Sequence, residues 1–325
     1  MSAGVSAAYD HHSREYAERH LEIHRELRRT CPVAHTDAHG GYWVVSRYAD
    51  VAEVARDDVT YSSAWRPEDG FGGVTIPPAR SLHIPIEVDP PAFLKYRRIL
   101  NSRFSPAEVD RWRSRIEAWA SLCIDQVIET GTIDIVADLS NPLPALFTCE
   151  LLGLPVGDWA RYARPYHEMI FTPPGPERDA LAREVHWIYG SLAELVAKRR
   201  AEPADDLITY LTRAEIEGER LTDDEIVSIC DLVMAGGFDT TTAATASALG
   251  YLHQNPADRQ RLVDDPGLLP TAVEEFLRYF SPTQGLARTV TVDTTLAGQS
   301  LAAGDRLLIS WASANHDETV FDRPD

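Results

Sequence analysis

The chain has 325 residues, 44% of them apolar, and a formal charge of −19 from 31 basic and 50 acidic side chains. That acidity disfavours nucleic acid as a partner, no apolar run reaches the ~18 residues of a membrane span, and the first dozen residues have neither a basic n-region nor an apolar h-region. A cytoplasmic protein with one large domain over 1–325 is expected, and four scattered cysteines without C-x-x-C argue against a disulfide scaffold or a zinc site.

In chain order, His11-His12 reads as a frayed terminus and 13–29 as a charged amphipathic helix. His20 and His24 share a helix face, but no third ligand stands nearby to make a metal site of them. Residues 33–35 and 42–46 form a hairpin about His39-Gly40-Gly41, and 51–57 a short helix. Residues 61–86 read as a long Gly/Pro-rich loop, and loops of that length are often functional. Within it, Gly70-Phe71-Gly72-Gly73 lacks the pattern of a phosphate loop, and no G-x-S-x-G suggests a serine hydrolase. Helices follow at 106–129 and 144–152. A helix pair comes next, at 159–171 and 178–200, joined through Thr172-Pro173-Pro174-Gly175-Pro176.

Thr222 followed three residues later by Glu225 is a capping box, and it opens a helix from 223 to about 254 that Pro256 stops. At 1.5 Å per residue it would be roughly 45–50 Å long. Its run Ile226, Val227, Ile229, Cys230, Leu232, Val233, Met234 covers nearly every face, so the helix should be buried. Ala235-Gly236-Gly237-Phe238-Asp239-Thr240-Thr241-Thr242 conflicts with that role. Each glycine costs about 1 kcal/mol against alanine in a helix, and a buried acid or hydroxyl costs more unless paired. The segment is expected to admit a planar ligand at Gly236 and Gly237. Thr240 would bond back to the Gly236 carbonyl and open the helix into a polar notch. The alternative is a close helix crossing that needs small residues. Farther on, Glu275 and Arg278 share one face of a helix that starts near Pro270 and ends before Pro282. Strands are expected at 286–292 and 306–311, for a fold that is mainly α with small β-sheets.

In this order and spacing the motifs resemble the cytochrome P450 family over nearly the whole chain. Asp89-Pro90-Pro91, Tyr96-Arg97-Arg98 and Phe104-Ser105-Pro106 look like its bacterial D-P-P-E-H-x-x-x-R-R segment, with Ala92 and Phe93 in place of the Glu and His. The resemblance implies a cytochrome P450 fold and haem b as cofactor, with Arg97 and Arg288 on the propionates and O2 as co-substrate. It implies proton handling by Asp239 and Thr240, room for dioxygen at Gly236 and Gly237, and a buried structural pair, Glu275 and Arg278. The helix pair at 159–200 looks like the family's moving lid.

The substrate would be a small apolar molecule, with candidate contacts at Met169, Ile170, Phe171, Leu232, Val233, Thr283, Gln284 and Leu286. Basic residues Lys95, Arg97, Arg98, Arg103, Arg111 and Arg113 suggest docking of an acidic ferredoxin, and a monomer is expected. The family holds its iron through a Cys thiolate in an F-x-x-G-x-x-x-C loop. Cys31, Cys123, Cys149 and Cys230 stand in no such loop and read as buried apolar residues, so no metal ligand is assigned within 1–325 and the Cys is expected beyond Asp325. A chain that truly ended there would be a non-catalytic ligand-binding protein. An unusual P450 reaction, peroxide-driven oxidation or oxidative coupling, is the other alternative.

Overall fold

The computed structural model describes residues 9–169, 172 and 175–325. Within them the chain forms two compact units, 1–82 with 86–92 and 261–325, and 83–85 with 93–260.

The first unit is built on a five-stranded sheet in the order Val33–Thr36, Tyr42–Val45, Arg306–Ser310, Gly285–Val290, Tyr61–Ser62. Only the pairing of Tyr42–Val45 with Arg306–Ser310 is parallel. Val33, Val45, Val290, Leu307 and Ile309 share one buried cluster with Val51 and Val54 of the helix Tyr48–Arg56. Ala34, Val44, Ala287 and Leu308 join another with Tyr9, Tyr16 and Leu27. This alternation is the period-2 signature of a sheet covered on both faces.

The helix Arg14–Thr30 is capped by Ser13, whose hydroxyl accepts from the Tyr16 amide at 3.0 Å. Residues ahead of it are packed, not frayed: Tyr9 is 2% exposed, and the His11 ring bonds Tyr42 and the Ile76 carbonyl. The loop at 61–86 also departs from expectation, because it contains a small hairpin pairing Trp65 with Gly72 and Arg66 with Phe71.

His24 is fully buried, with Nε2 3.2 Å from the Tyr16 hydroxyl. Burial first, then neighbouring His20, Arg28 and His316, pushes its imidazole down to about 3. It is neutral in the folded protein, whereas the unfolded chain protonates it near pH 6.5. Between those two values the unfolded state binds the extra proton, so this contribution to stability is lost as pH falls. From pH 6.5 to 5 the loss should be about 2 kcal/mol. Urea midpoints at the two pH values should converge in His24→Gln; an unchanged slope would remove the assignment.

The second unit is helical. Its axis is Asp223–Gln254, packed against Pro142–Leu152, Trp159–Met169, Pro176–Ala201 and Leu207–Arg213. The expected helix at 106–129 is divided into Pro106–Arg111 and Arg113–Asp125, followed by a short 3-10 turn at Ile128–Thr130. Leu207–Arg213, capped by Asp206, and the hairpin Glu215–Ile216 with Glu219–Arg220 lie where no element was expected.

Burial of the long helix is uneven. Ile226 to Asp231 and Met234 are buried, but beyond Met234 only Phe238 is, so the expectation of a helix enclosed along its length holds for its first half alone. Among the described residues no helix is long and apolar enough to cross a membrane.

Candidate active site

The capping box forms as its residues dictate: the Glu225 amide donates to Thr222 Oγ1 at 3.2 Å, and Glu225 Oε2 accepts from the Thr222 amide at 2.7 Å. About four turns on, Thr240 Oγ1 donates to the Gly236 carbonyl at 2.7 Å, the expected back-bond. It does not open the backbone, which stays α-helical from Asp223 to Gln254. The polar site is thus made by side chains on an intact helix.

The two glycines have different reasons. A Cβ on Gly237 would lie 2.6 Å from Thr148 Oγ1, so Gly237 admits the helix Pro142–Leu152 to close contact. Thr148 is 3% exposed and short, with little freedom to yield. A Cβ on Gly236 would meet nothing within 4 Å. Of the two, only Gly236 keeps backbone open to a ligand. Gly237→Ala should therefore destabilise by about 1–3 kcal/mol through overpacking, while Gly236→Ala should stabilise the ligand-free protein by up to about 1 kcal/mol. Thermal midpoints of the two variants moving in the same direction would contradict this division.

Asp239 pairs with a residue the sequence did not single out. His167, on the helix Trp159–Met169, contacts the Asp239 carboxylate through Nδ1, and its Nε2 is buried without a partner. Two turns earlier on the long helix, Asp231 is 2% exposed and accepts from the hydroxyls of Tyr166 and Tyr189, the latter at 2.7 Å, with His83 Nε2 at 3.3 Å. Burial, then the Asp231 charge, pushes the Tyr166 phenol well up, so it remains a donor. Asp231 and Asp239 thus both engage the helix Trp159–Met169, through Tyr166 and His167. Met169, Leu232 and Val233 are half-buried nearby on these two helices, whereas Ile170 and Phe171 lie outside the described residues.

In the first unit, Glu275 and Arg278 form a bidentate pair at 2.7 and 2.8 Å on Leu269–Phe280. The expectation of a buried pair is corrected on one side: the Arg278 side chain is 13% exposed but Glu275 is 59% exposed. Arg278 acts mainly as a tie, because its Nη1 also donates to the carbonyls of Asn315 at 2.6 Å and Pro324 at 2.9 Å. Asp89 anchors the D-P-P segment by accepting from the Ser63 amide at 2.9 Å.

Arg288 is half-buried, donates to the Tyr61 carbonyl at 3.1 Å and makes no ion pair among the described residues. Desolvation lowers its pKa against the opposing charges of Asp89 and Asp58, so a directly bonded anion would be favourable there. Thr283 is exposed, Gln284 accepts from the Tyr16 hydroxyl at 2.7 Å through Oε1, and Leu286 is half-buried.

The basic residues near Asp89 are largely neutralised. Lys95 pairs with Glu217, Arg103 and Arg111 with Glu108, and Arg113 with Asp110. Arg97 and Arg98, both exposed, have no acidic partner among the described residues. The buried thiols are protonated: burial raises Cys123, Cys149 to about 12, and Cys230 further.

The long helix is intact and carries Gly236, Asp239 and Thr240, and the helix with E-x-x-R is tied to the Asn315 segment. The chain matches the family description Cytochrome P450 over residues 158–266 and 260–325, and it belongs to that family. It is 32% identical over 312 residues to Cytochrome P450 109 of Bacillus spizizenii, covering 93% of this chain and 73% of that one. It is 34% identical over 308 residues to the cyclomarin C epoxidase CymV of Salinispora arenicola, covering 93% and 77%. The crystal structure of CYP109E1 from Bacillus megaterium in complex with testosterone superposes with a TM-score of 0.83 at 29% identity, covering 96% of this chain and 80% of that one. The family uses haem iron and O2, and the protein is a P450-type monooxygenase.

Proposed function

We propose that the protein inserts one oxygen atom of O2 into a C–H bond or double bond of a small apolar molecule, in the cytoplasm, with electrons from an acidic ferredoxin. The observation that carries this reading is the Gly236–Thr240 turn, where open backbone, a hydroxyl and an acid coupled to His167 meet on one helix. One relative is named an epoxidase, which supports oxygen insertion into a double bond, and the neighbour in complex with testosterone supports an apolar substrate.

The residues present fit haem. Arg288 makes no ion pair among the described residues, with only the charges of Asp89 and Asp58 acting on it from farther off, and we propose it as a charge-assisted donor to a propionate; Arg97, exposed and unpaired, is proposed for the same role on the family resemblance alone. Bound haem supplies the oxidising chemistry. The chain's own share is proton management. With its hydroxyl hydrogen committed to the Gly236 carbonyl, Thr240 Oγ1 presents lone pairs that can hold a water as a proton donor. Asp239 accepts protons from His167 and passes them toward that water, and the buried His167 Nε2 is the next link outward. Leu232, Val233 and Met169 give the substrate side an apolar lining. Arg98, the unpaired cation left after Arg97 is assigned, is the docking charge for the ferredoxin.

The deciding experiment is the carbon-monoxide difference spectrum of the natural polypeptide, loaded with haem and reduced. A thiolate-type Soret band is expected. A protein that takes up no haem, or whose band is not of the thiolate type, would overturn the reading.

A further inference from the structure

Three histidines outside the proposed active site converge from two separate stretches of chain. His11 and His12 precede the helix Arg14–Thr30, and His39 lies in the turn between the strands Val33–Thr36 and Tyr42–Val45. One ring nitrogen from each falls within 4.8 Å of the others. The rings stand 4.2 Å (His11–His12), 5.0 Å (His12–His39) and 5.6 Å (His11–His39) apart between centroids. We propose that His11, His12 and His39 bind a divalent ion of the zinc class that staples the amino-terminal arm to the sheet.

The surroundings favour a site over a chance meeting of surface rings. The Tyr42 hydroxyl, on a residue only 1% exposed, bonds His11 Nδ1 at 2.8 Å and fixes the orientation of the ring. His11 Nε2 and His12 Nε2 converge on one oxygen, the Ile76 carbonyl, at 3.1 and 3.0 Å; a metal ion would take the place of these hydrogen bonds. The Asp10 carboxylate accepts from the His12 amide at 2.9 Å and lies 2.8 Å from His39 Nε2, so it supplies negative charge beside the three rings and orients His39. Three imidazoles suit zinc, and carboxylates that orient ligating histidines are a recurring part of such sites. His39 also adopts a left-handed backbone with φ 50°, and its ring lies against those of His11 and His12. Zinc–nitrogen bonds are near 2.0–2.1 Å, so the exposed rings of His12 and His39 must close in by about an ångström each, which their freedom allows.

The test uses the complete haem-loaded protein after chelator treatment. Titration with Zn2+ by calorimetry should show one tight site, and Zn2+ should raise the thermal midpoint. His12→Gln and His39→Asn should each weaken binding by tenfold or more and reduce that rise. Asparagine tolerates the left-handed backbone, so His39→Asn is expected to melt like wild type without metal, which separates lost binding from lost folding. His20→Gln and His253→Gln serve as controls and should bind as wild type does, and Mg2+ should not compete. Wild-type affinity equal to that of the His12→Gln/His39→Asn double variant would overturn the proposal. So would a tight site that disappears with either control substitution.

Discussion

Thr240→Ala will keep haem and substrate binding but lose product, with the electrons reappearing as hydrogen peroxide. The hydroxyl is fixed by its 2.7 Å bond to the Gly236 carbonyl, so it offers a water the same lone pairs in each turnover. A positioned proton donor contributes on the order of 10²- to 10⁴-fold. Because water would occupy part of the space left by the missing hydroxyl, product per electron should fall by about tenfold, not by the full factor. The backbone is α-helical through this turn and alanine is a better helix former than threonine, so the substitution should leave the fold intact. Product and peroxide are measured against NADH consumed. Coupling equal to wild type would show that the Thr240–Gly236 bond is a packing feature, and the assignment of Thr240 to catalysis would be withdrawn.

What the sequence disclosed depended on how local the physics was. The long helix was legible to the residue because both ends are written in adjacent side chains, the Thr222–Glu225 box and Pro256. The Thr240 back-bond and the Glu275–Arg278 pair span four and three residues, so spacing alone predicted them. The break at Trp112 carries neither glycine nor proline, and the two-residue strands at Trp65 and Phe71 are too short to show alternation.

The site was half legible for the same reason. His167 meets Asp239 across 72 positions, and Tyr166 meets Asp231 across 65, contacts that only the packing of two helices creates. A signal was present nonetheless: Tyr166-His167 beside a helix carrying two acids is a polar pair on an otherwise amphipathic segment. Exposure of Glu275 was likewise unreadable, since an i, i+3 pair has the same spacing on a buried face and a wet one.

Asp239→Asn will slow turnover by about 10²-fold while coupling stays closer to wild type than in Thr240→Ala. Asparagine keeps the shape and can still bond His167, but it cannot take up and release a proton, so delivery rather than positioning is lost. His167→Gln should fall between Asp239→Asn and wild type, because it preserves a hydrogen bond to Asp239 while cutting the link through the buried Nε2. His167→Phe removes the bond as well and leaves the carboxylate without this partner, so it should match Asp239→Asn or exceed it. The informative readout is the solvent isotope effect. If proton delivery becomes limiting, the ratio of turnover in H2O to that in D2O should rise in Asp239→Asn and in both His167 variants. Slow turnover with an unchanged isotope effect would mean that the pair only holds the helix Trp159–Met169 against the long helix. In that case the thermal midpoint should drop in parallel with activity, and the relay from His167 to Asp239 would have to be given up.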